Sequence, residues 1–425
     1  MTPDNIASAP QNCGKCGLCL SVCPVYQILK EEQASPRARL QLIKAFETNT
    51  LESSFLLKEI ISNCLMCGAC ARICPSGINH YEKFMDMREK MAAALGDTPA
   101  IKGLIFLLAR EYRLRAGAKM AGVGQQLTPE FLEKKYRLGQ IPISCLPQLN
   151  PAPFRQTLPE KIRPKSGKPL RGKLVYFSGC ATNYMFEDTG RASVKILKDL
   201  GYEVIIPRDQ TCCAIPLLYH GAGSKARKNI ITNIRALACH DYDHIIVDCT
   251  TCGAALKDEY PLYIQRLNKE GIDKGDTLSA QAQTISEKTM DILIFLSKFN
   301  LKYDPPPPKI SRGVYHAPCH SRNSFNSHPR VQDLLRHLPN LEYVPTAEED
   351  LCCGGGGTFF YEHPKTAQKI MEQKQAQITH TNADLWLTDC PVCRLNLQGN
   401  LPLDSQTKII HPVTLICQAM ARETP

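Results

Sequence analysis

Two runs decide the reading of this chain: Cys13-Gly-Lys-Cys16-Gly-Leu-Cys19-Leu-Ser-Val-Cys23-Pro24 and Cys64-Leu-Met-Cys67-Gly-Ala-Cys70-Ala-Arg-Ile-Cys74-Pro75. Both have the spacing C-x2-C-x2-C-x3-C-P, the pattern that holds four-iron four-sulfur clusters. Three thiolates two residues apart on a tight loop hold three corners of a cubane. The fourth, three residues on, points away and ligates the other cluster. By that rule Cys13, Cys16, Cys19 and Cys74 form one ligand set, and Cys64, Cys67, Cys70 and Cys23 the other, for two [4Fe–4S] cubanes. The proline turns the chain after the last ligand and offers no competing N–H. Zinc sites use paired C-x2-C units, which these runs fit badly.

Forty residues separate Cys23 from Cys64, and they read as helical. Ser35 is placed to cap a helix with Pro36 in its first turn, followed by Arg37 to Phe46 with Leu40, Ile43 and Phe46 on one face. A second helix is expected from Leu51 to Ile61. This N-terminal part resembles the α-helical ferredoxin module of succinate dehydrogenase-type subunits.

The chain from Leu170 onward repeats itself. KLVYFSGC ends at Cys180 and RGVYHAPC at Cys319. In the first copy 31 residues separate Cys180 from Cys212 and 35 separate Cys213 from Cys249; in the second the gaps are 32 and 36. Each copy closes on Asp-Cys-x2-Cys, at Asp248-Cys249 and Asp389-Cys390. The first copy predicts strands at Lys173 to Phe177, Tyr202 to Ile206 and His244 to Val247, with helices at Gly190 to Leu200 (closed by Gly201) and Ser224 to Ala238. The second predicts strands at Gly313 to His316, Leu341 to Val344 and Asp384 to Thr388, with helices at Arg330 to Leu338 and Pro364 to Ile378. Such alternation argues for parallel α/β layers. The cysteines then fall just past the carboxyl ends of the strands, where open α/β sheets bind ligands.

Both copies resemble the cysteine-rich CCG domain shared by heterodisulfide reductase subunits and by iron–sulfur subunits of flavin dehydrogenases. Cys352-Cys353-Gly354-Gly355-Gly356-Gly357 carries the signature most clearly. The resemblance implies a non-cubane [4Fe–4S] cluster on Cys180, Cys212, Cys213, Cys249 and Cys252, and another on Cys319, Cys352, Cys353, Cys390 and Cys393. A cubane, or zinc, is the alternative at either site. Ala214 departs from the pattern, standing where the signature has glycine, and its methyl group threatens a close backbone approach. The expected fold is multidomain: an α-helical ferredoxin domain (1–98), a basic proline-rich linker (99–170) and two repeated α/β CCG domains (171–304 and 309–425). This order resembles the glycolate oxidase iron–sulfur subunit family, with its relatives in lactate utilisation and anaerobic glycerol-3-phosphate dehydrogenase. The resemblance implies an electron-transfer subunit served by a separate FAD-containing dehydrogenase subunit, with further electron-transfer subunits or membrane quinone downstream.

The chain has 425 residues and a net charge of +10. Between Arg110 and Lys173 there are 14 Lys plus Arg against 4 Asp plus Glu, so this stretch alone accounts for the excess. It reads as a solvated connector, or as a docking strip for an acidic partner or an anionic leaflet. No recognition motif points to nucleic acid. No stretch approaches the ~20 apolar residues of a membrane span, and MTPDNIASAP lacks a signal pattern. The expected location is cytoplasmic, peripheral on the inner membrane face at most. Cys145, Cys239 and Cys417 lie outside the four sets and read as small buried hydrophobes. His220, His316 and His320 are candidates to hydrogen-bond a cluster. Gly354 to Gly357 lacks the Lys-Ser/Thr of a phosphate loop.

Two functional classes follow. One is an electron-transfer subunit of a flavin-dependent 2-hydroxy acid dehydrogenase. The other is a heterodisulfide reductase-like enzyme whose CCG cluster attacks a disulfide. A scaffold with zinc at the CCG sites is a third reading.

Overall fold

The computed structural model describes residues 13–128, 136–139, 141–271, 276–347, 349–402 and 405–420. The N-terminal decapeptide read for a signal, and part of the basic stretch, lie outside these.

The N-terminal part is helical: α1 (Leu18–Val22), α2 (Pro24–Leu29), α3 (Pro36–Glu47), α4 (Phe55–Ser62), α5 (Ala69–Ile73) and α6 (His80–Leu95). α1 and α5 carry the third cysteine of each run and pack on each other. Ser35 caps α3 by accepting from the Ala38 N–H at 3.0 Å, as expected. α4 starts four residues later than expected, because Ser54 accepts from the Leu57 N–H and ends the preceding loop.

The stretch expected as a linker carries ordered structure. α7 (Pro99–Leu108) and α8 (Glu111–Leu127) are followed by the hairpin strands β1 (Arg137–Leu138) and β2 (Ile141–Pro142). Ile101, Ile105 and Leu108 are buried, and Ile141 and Phe154 are fully so. α6 and α7 together match a membrane span in length and composition but are bent by 119°. Their apolar faces lie in the protein core, and no single helix among the described residues is long and apolar enough to cross a membrane.

Two sheets follow. The first contains β3 (Lys161–Ile162), β4 (Gly172–Phe177), β5 (Tyr202–Ile205), β6 (His244–Val247) and β7 (Thr289–Asp291), in the order β3-β5-β4-β6-β7. β3 is antiparallel to β5, and the rest is parallel. The second contains β8 (Ser311–Tyr315), β9 (Leu341–Tyr343), β10 (Leu385–Leu387) and β11 (Lys408–Ile410), all parallel, in the order β11-β10-β8-β9. The repeat and its parallel core are therefore as the sequence implies. The antiparallel edge β3 and the short outer strands β7 and β11 are additions.

Three shared cores bind these parts together. Val175, Phe177, Ile245 and Val247 on one face of the first sheet pack with Ile230 and Ile234, and continue into Leu40, Ile43, Phe84 and Met87 of the helical part. Leu174, Tyr176 and Ile246 on the other face share a core with Tyr315, Val331, Leu387 and Ile416 of the second copy. Val25 and Leu65 pack with Phe359, Phe360 and Ile370. Apolar burial, the main favourable term in folding, thus runs across every junction.

Arg88 on α6 bolts one junction. Its guanidinium donates to the carbonyls of Ser62 (2.9 Å), Cys64 (2.7 Å) and Tyr219 (2.8 Å), tying the second cysteine run to the first CCG copy. Arg88→Met leaves these acceptors without a donor and is expected to cost ~2–4 kcal/mol. The check is a lowered thermal midpoint with faster proteolysis near residue 62.

The two Cys-Cys corners are backbone twins. Ala214 has φ +72° and Gly354 has φ +75°, both in the left-handed region. Ala214 is fully buried there, so its methyl group is accommodated and the cost is backbone strain alone. At Gly354 a Cβ would meet the Ala367 carbonyl oxygen at 2.8 Å. Ala214→Gly is expected to stabilise by ~0.5–1 kcal/mol, the relieved left-handed strain less the entropy of glycine. Gly354→Ala is expected to destabilise by ~2–4 kcal/mol, from strain and overlap. Thermal unfolding of the two variants should move in opposite directions.

Candidate iron–sulfur centres and the hydrogen-bond hub between them

Cys23, Cys64, Cys67 and Cys70 line one cavity. The interleaved set expected from the spacing is thus brought together, with Cys23 arriving from the first run. Burial pushes the Cys67 thiol up to about 12, and the nearby Cys64 and Cys23 add to this. On the other side, the 13–19 loop lies against the residues after α5, where Gly14 approaches Ser76 and Cys74 is the C-cap. Within this loop Cys13 and Cys16 both bear electrostatically on Cys19, Cys19 being buried and Cys16 exposed.

In the first CCG copy the five thiols form an unbroken chain of sulfur contacts: Cys180 to Cys212, Cys212 to Cys213, Cys213 to Cys252, and Cys252 to Cys249. Cys213 sits lowest, pulled down to about 6 by hydrogen bonds from Cys212 and Cys252. Gly179 has φ +60°, and a Cβ on it would fall 2.6 Å from the Cys252 sulfur, so glycine lets the backbone pass the thiols. In the second copy Cys352 contacts Cys353, Cys353 contacts Cys393 and Cys393 contacts Cys390, with Cys319 facing Cys390 and Cys353. Gly355 passes close to the Cys353 sulfur, in keeping with a backbone approach to a bound group rather than a phosphate loop.

Each copy carries a supporting pair that the sequence reading did not single out. The Tyr176 hydroxyl donates to Asp248 at 2.5 Å, and the Tyr315 hydroxyl donates to Asp389 at 2.9 Å. Each tyrosine lies four residues before the first cysteine and each aspartate one before the fourth, so both ends of the thiol set are linked. Burial raises Asp248 to about 6. The repeated Tyr-x3-Cys and Asp-Cys spacing was the available signal.

The donor sets fit iron–sulfur clusters. Soft thiolates select clusters or zinc. Five converging thiols exceed the four ligands of a structural zinc site. Neighbouring thiols, and burial with them, push most of these thiols up, so their thiolate forms need a positively charged group among them.

The histidines divide. His220 pairs with Thr358 at 2.6 Å and does not join a thiol set. His316 is buried, its two ring nitrogens have no hydrogen-bond partner, and one lies within 4.8 Å of the Cys353 and Cys393 sulfurs. His320 is a hub. Its Nε2 faces the hydroxyls of Tyr219 (3.1 Å) and Tyr81 (3.4 Å), and its Nδ1 faces Thr251 Oγ1 (3.1 Å), which lies 3.6 Å from the Cys390 sulfur. Burial lowers His320 to about 4, so it is neutral. This hub joins the helical part, the first CCG copy and a thiol of the second. Among the cysteines outside the four sets, Cys145 and Cys417 are partly buried, but Cys239 is exposed at a helix end, against the expectation of a buried hydrophobe.

The sets are also neighbours. Cys67 bears on Cys319 and Cys352, and Cys390 bears on Cys249. The second run therefore adjoins the second CCG site, and that site adjoins the first.

Family models match this architecture part by part: a 4Fe-4S dicluster domain at residues 9–78, and a cysteine-rich CCG domain at residues 174–257 and again at 314–398. A probable glycolate oxidase iron–sulfur subunit of Bacillus subtilis is 26% identical over 97% of this chain and 94% of its own length. One subunit of the dihydromethanophenazine:CoB–CoM heterodisulfide reductase of Methanosarcina acetivorans is 25% identical over 96% of this chain and 93% of its own. One subunit of the anaerobic glycerol-3-phosphate dehydrogenase of Escherichia coli is 31% identical over 59% of this chain and 60% of its own. The chain belongs to the family of electron-transferring iron–sulfur subunits that join a 4Fe-4S dicluster domain to two cysteine-rich CCG domains.

Proposed function

We propose that this chain is the iron–sulfur subunit of a flavin-dependent 2-hydroxy acid dehydrogenase complex, with glycolate or lactate as the substrate class. The near end-to-end match to a glycolate oxidase iron–sulfur subunit supports that class. The observation that carries the electron-transfer role is the adjacency of Cys67 to Cys319 and Cys352, and of Cys390 to Cys249. Oxidation of a 2-hydroxy acid to its 2-oxo acid releases two electrons and two protons. An FAD-containing partner takes them and delivers the electrons singly. Bound clusters supply one-electron carriers; the chain's part is to hold them in order and away from water. The ligand assignment is the one the spacing gives for the ferredoxin runs (Cys13, Cys16, Cys19 and Cys74; Cys64, Cys67, Cys70 and Cys23) and the one the CCG resemblance implies for the five cysteines of each copy.

The downstream acceptor in this proposal is membrane quinone, reached by docking α8 on an anionic bilayer. None of its 17 residues is buried. Tyr112, Met120, Val123 and Leu127 are exposed along one side at helical spacing, and Arg113, Arg115 and Lys119 flank them. Arg113 also stacks on Phe106, 4.0 Å from the ring centroid. Its acidic residue Glu111 is engaged by Arg155 and Tyr184. An exposed apolar stripe with a basic border suits the headgroup region of an anionic membrane.

A second reading has one observation in its favour. A cavity of about 460 Å³ reaches Cys319, Cys352 and Cys67, with Arg72, Asn323 and Arg322, the last paired with Asp350 at 3.5 Å, on its wall. A small anionic acceptor, such as a disulfide carrying acidic groups, would fit that chemistry.

Anaerobic purification from the native host discriminates between them. The proposal expects a flavoprotein in stoichiometric amount whose 2-hydroxy acid oxidation reduces this chain. Recovery without a flavoprotein, together with disulfide-dependent oxidation of a reduced dye, would replace it with the second reading. For the membrane face, the chain is expected to sediment with phosphatidylglycerol vesicles at low salt, and Met120→Glu/Leu127→Glu to weaken this by on the order of a hundredfold or more, as losing the burial of two large apolar side chains implies. Equal sedimentation of wild type and variant would remove α8 from the proposal.

A further inference from the structure

The two CCG copies share their thiols but not their surroundings, and the Tyr176–Asp248 and Tyr315–Asp389 pairs fix their register. After the tyrosine comes Phe177 in the first copy and His316 in the second. After the first cysteine comes Ala181 in the first and His320 in the second. Between the last two cysteines the first copy has Thr250-Thr251 and the second Pro391-Val392. These differences place the polar donors at one site. His316 is buried beside the Cys353 and Cys393 sulfurs with neither ring nitrogen hydrogen-bonded, whereas Phe177, fully buried in its place, has no polar atom to give.

The hub acts on the same site. A cluster-ligating thiolate at Cys390 can only accept a hydrogen bond. That makes Thr251 the donor to Cys390, His320 Nδ1–H the donor to Thr251, and His320 Nε2 the acceptor from Tyr219 or Tyr81. These directions are mutually compatible, so the three links align toward the sulfur. The buried Lys374, whose ammonium donates to the Glu349 carbonyl at 3.0 Å, bears electrostatically on Cys353. On the corresponding helix of the first copy, the side chain facing the Cys-Cys loop is the neutral Asn233. The first site has an ion pair nearby instead: Glu111, which bears on Cys180, is held by Arg155, whose guanidinium also donates to the Gly179 carbonyl.

We propose that the two CCG sites are redox-unequal, and that the second, tuned by His316 and by the Tyr219–His320–Thr251 chain to Cys390, is the higher-potential site where electrons accumulate. Hydrogen bonds to cluster sulfurs and positive charge nearby favour the reduced, more negative form. His316 and Thr251 are then positioning residues for the relay. The second site also adjoins both Cys67 and Cys249. It is therefore the junction at which single electrons from the ferredoxin part wait for the next transfer. This inference rests on the reading that both CCG sites bind iron–sulfur clusters.

The test is a potentiometric titration of the full chain, purified anaerobically, followed by electron paramagnetic resonance, with iron and zinc content measured first. Zinc in place of iron at a CCG site would defeat the cluster reading itself, before any potential is compared. With iron at both sites, His316→Phe is expected to lower one midpoint by about tenfold in reduced fraction, ~59 mV for a one-electron centre. Thr251→Val should lower the same midpoint, Phe177→His should raise a different one, and the ferredoxin signals should not move. Unchanged midpoints in His316→Phe and Thr251→Val overturn the proposal. Loss of iron from the second site in His316→Phe would make the histidine a ligand and overturn its tuning role as well.

Discussion

Everything functional depends on two sheets, parallel apart from the edge strand β3, meeting at the carboxyl ends of β6 and β10. The meeting is held by backbone-directed bonds. His411 Nε2–H donates to the Asp248 carbonyl at 2.9 Å, its Nδ1 being occupied by the Val413 N–H at 3.0 Å. Thr250 N–H donates to the Asp389 carbonyl at 3.3 Å. Both acceptors belong to the residue just before a cysteine of a CCG thiol set. Burial lowers His411 to about 3, so this donor stays neutral and its tautomer fixed across the physiological range. The physical cost is considerable: Asp248, Asp291 and Asp389 are buried here, each with one carboxyl oxygen lacking a partner, and each is pushed upward by burial. A fold retains such groups where they hold other groups in register, and here the register is that of ten thiols.

The helical part wedges against this junction. Leu65, between Cys64 and Cys67, packs close to Gly356, where a Cβ would come within 2.5 Å of the leucine side chain. The Cys-Cys-Gly-Gly loop is therefore glycine-rich for two reasons. Gly355 passes the thiols, and Gly356 lets the ferredoxin part approach. Arg72 reaches across to the Arg322 carbonyl at 2.6 Å, and Asn323 reaches back to the Cys67 carbonyl at 2.6 Å. Burial, hydrogen bonds and backbone permissiveness all act on the same contact. Electron transfer between the thiol sets requires such a contact to be close and dry.

The thiol sets were legible because their spacing is rigid, and the repeat because the second copy preserves that spacing. Strands such as His244–Val247 and helices such as Gly223–Ala238 were legible because their apolar patterns face a core along their whole length. The outer strands Thr289–Asp291 and Lys408–Ile410 were not, since three residues give no period to read. The stretch after Pro99 read as a charged connector because composition does not register that Ile101, Ile105 and Phe154 fill a neighbour's core. The Tyr219–His320–Thr251 hub was invisible for a related reason. Its members lie far apart in the chain and gain meaning only when three units dock. Ala214 shows the opposite limit: the departure from glycine was plain, but the fold meets it with an alanine in the left-handed region rather than a lost corner.

The central claim is that all four thiol sets hold iron in one connected relay. Quantitative iron and sulfide analysis with Mössbauer spectroscopy on anaerobically purified, iron-57-labelled protein tests it most directly. Roughly 16 iron and 16 sulfide per chain, from four four-iron clusters, without zinc, are expected. About 8 of each, with zinc at the CCG sites, would contradict it.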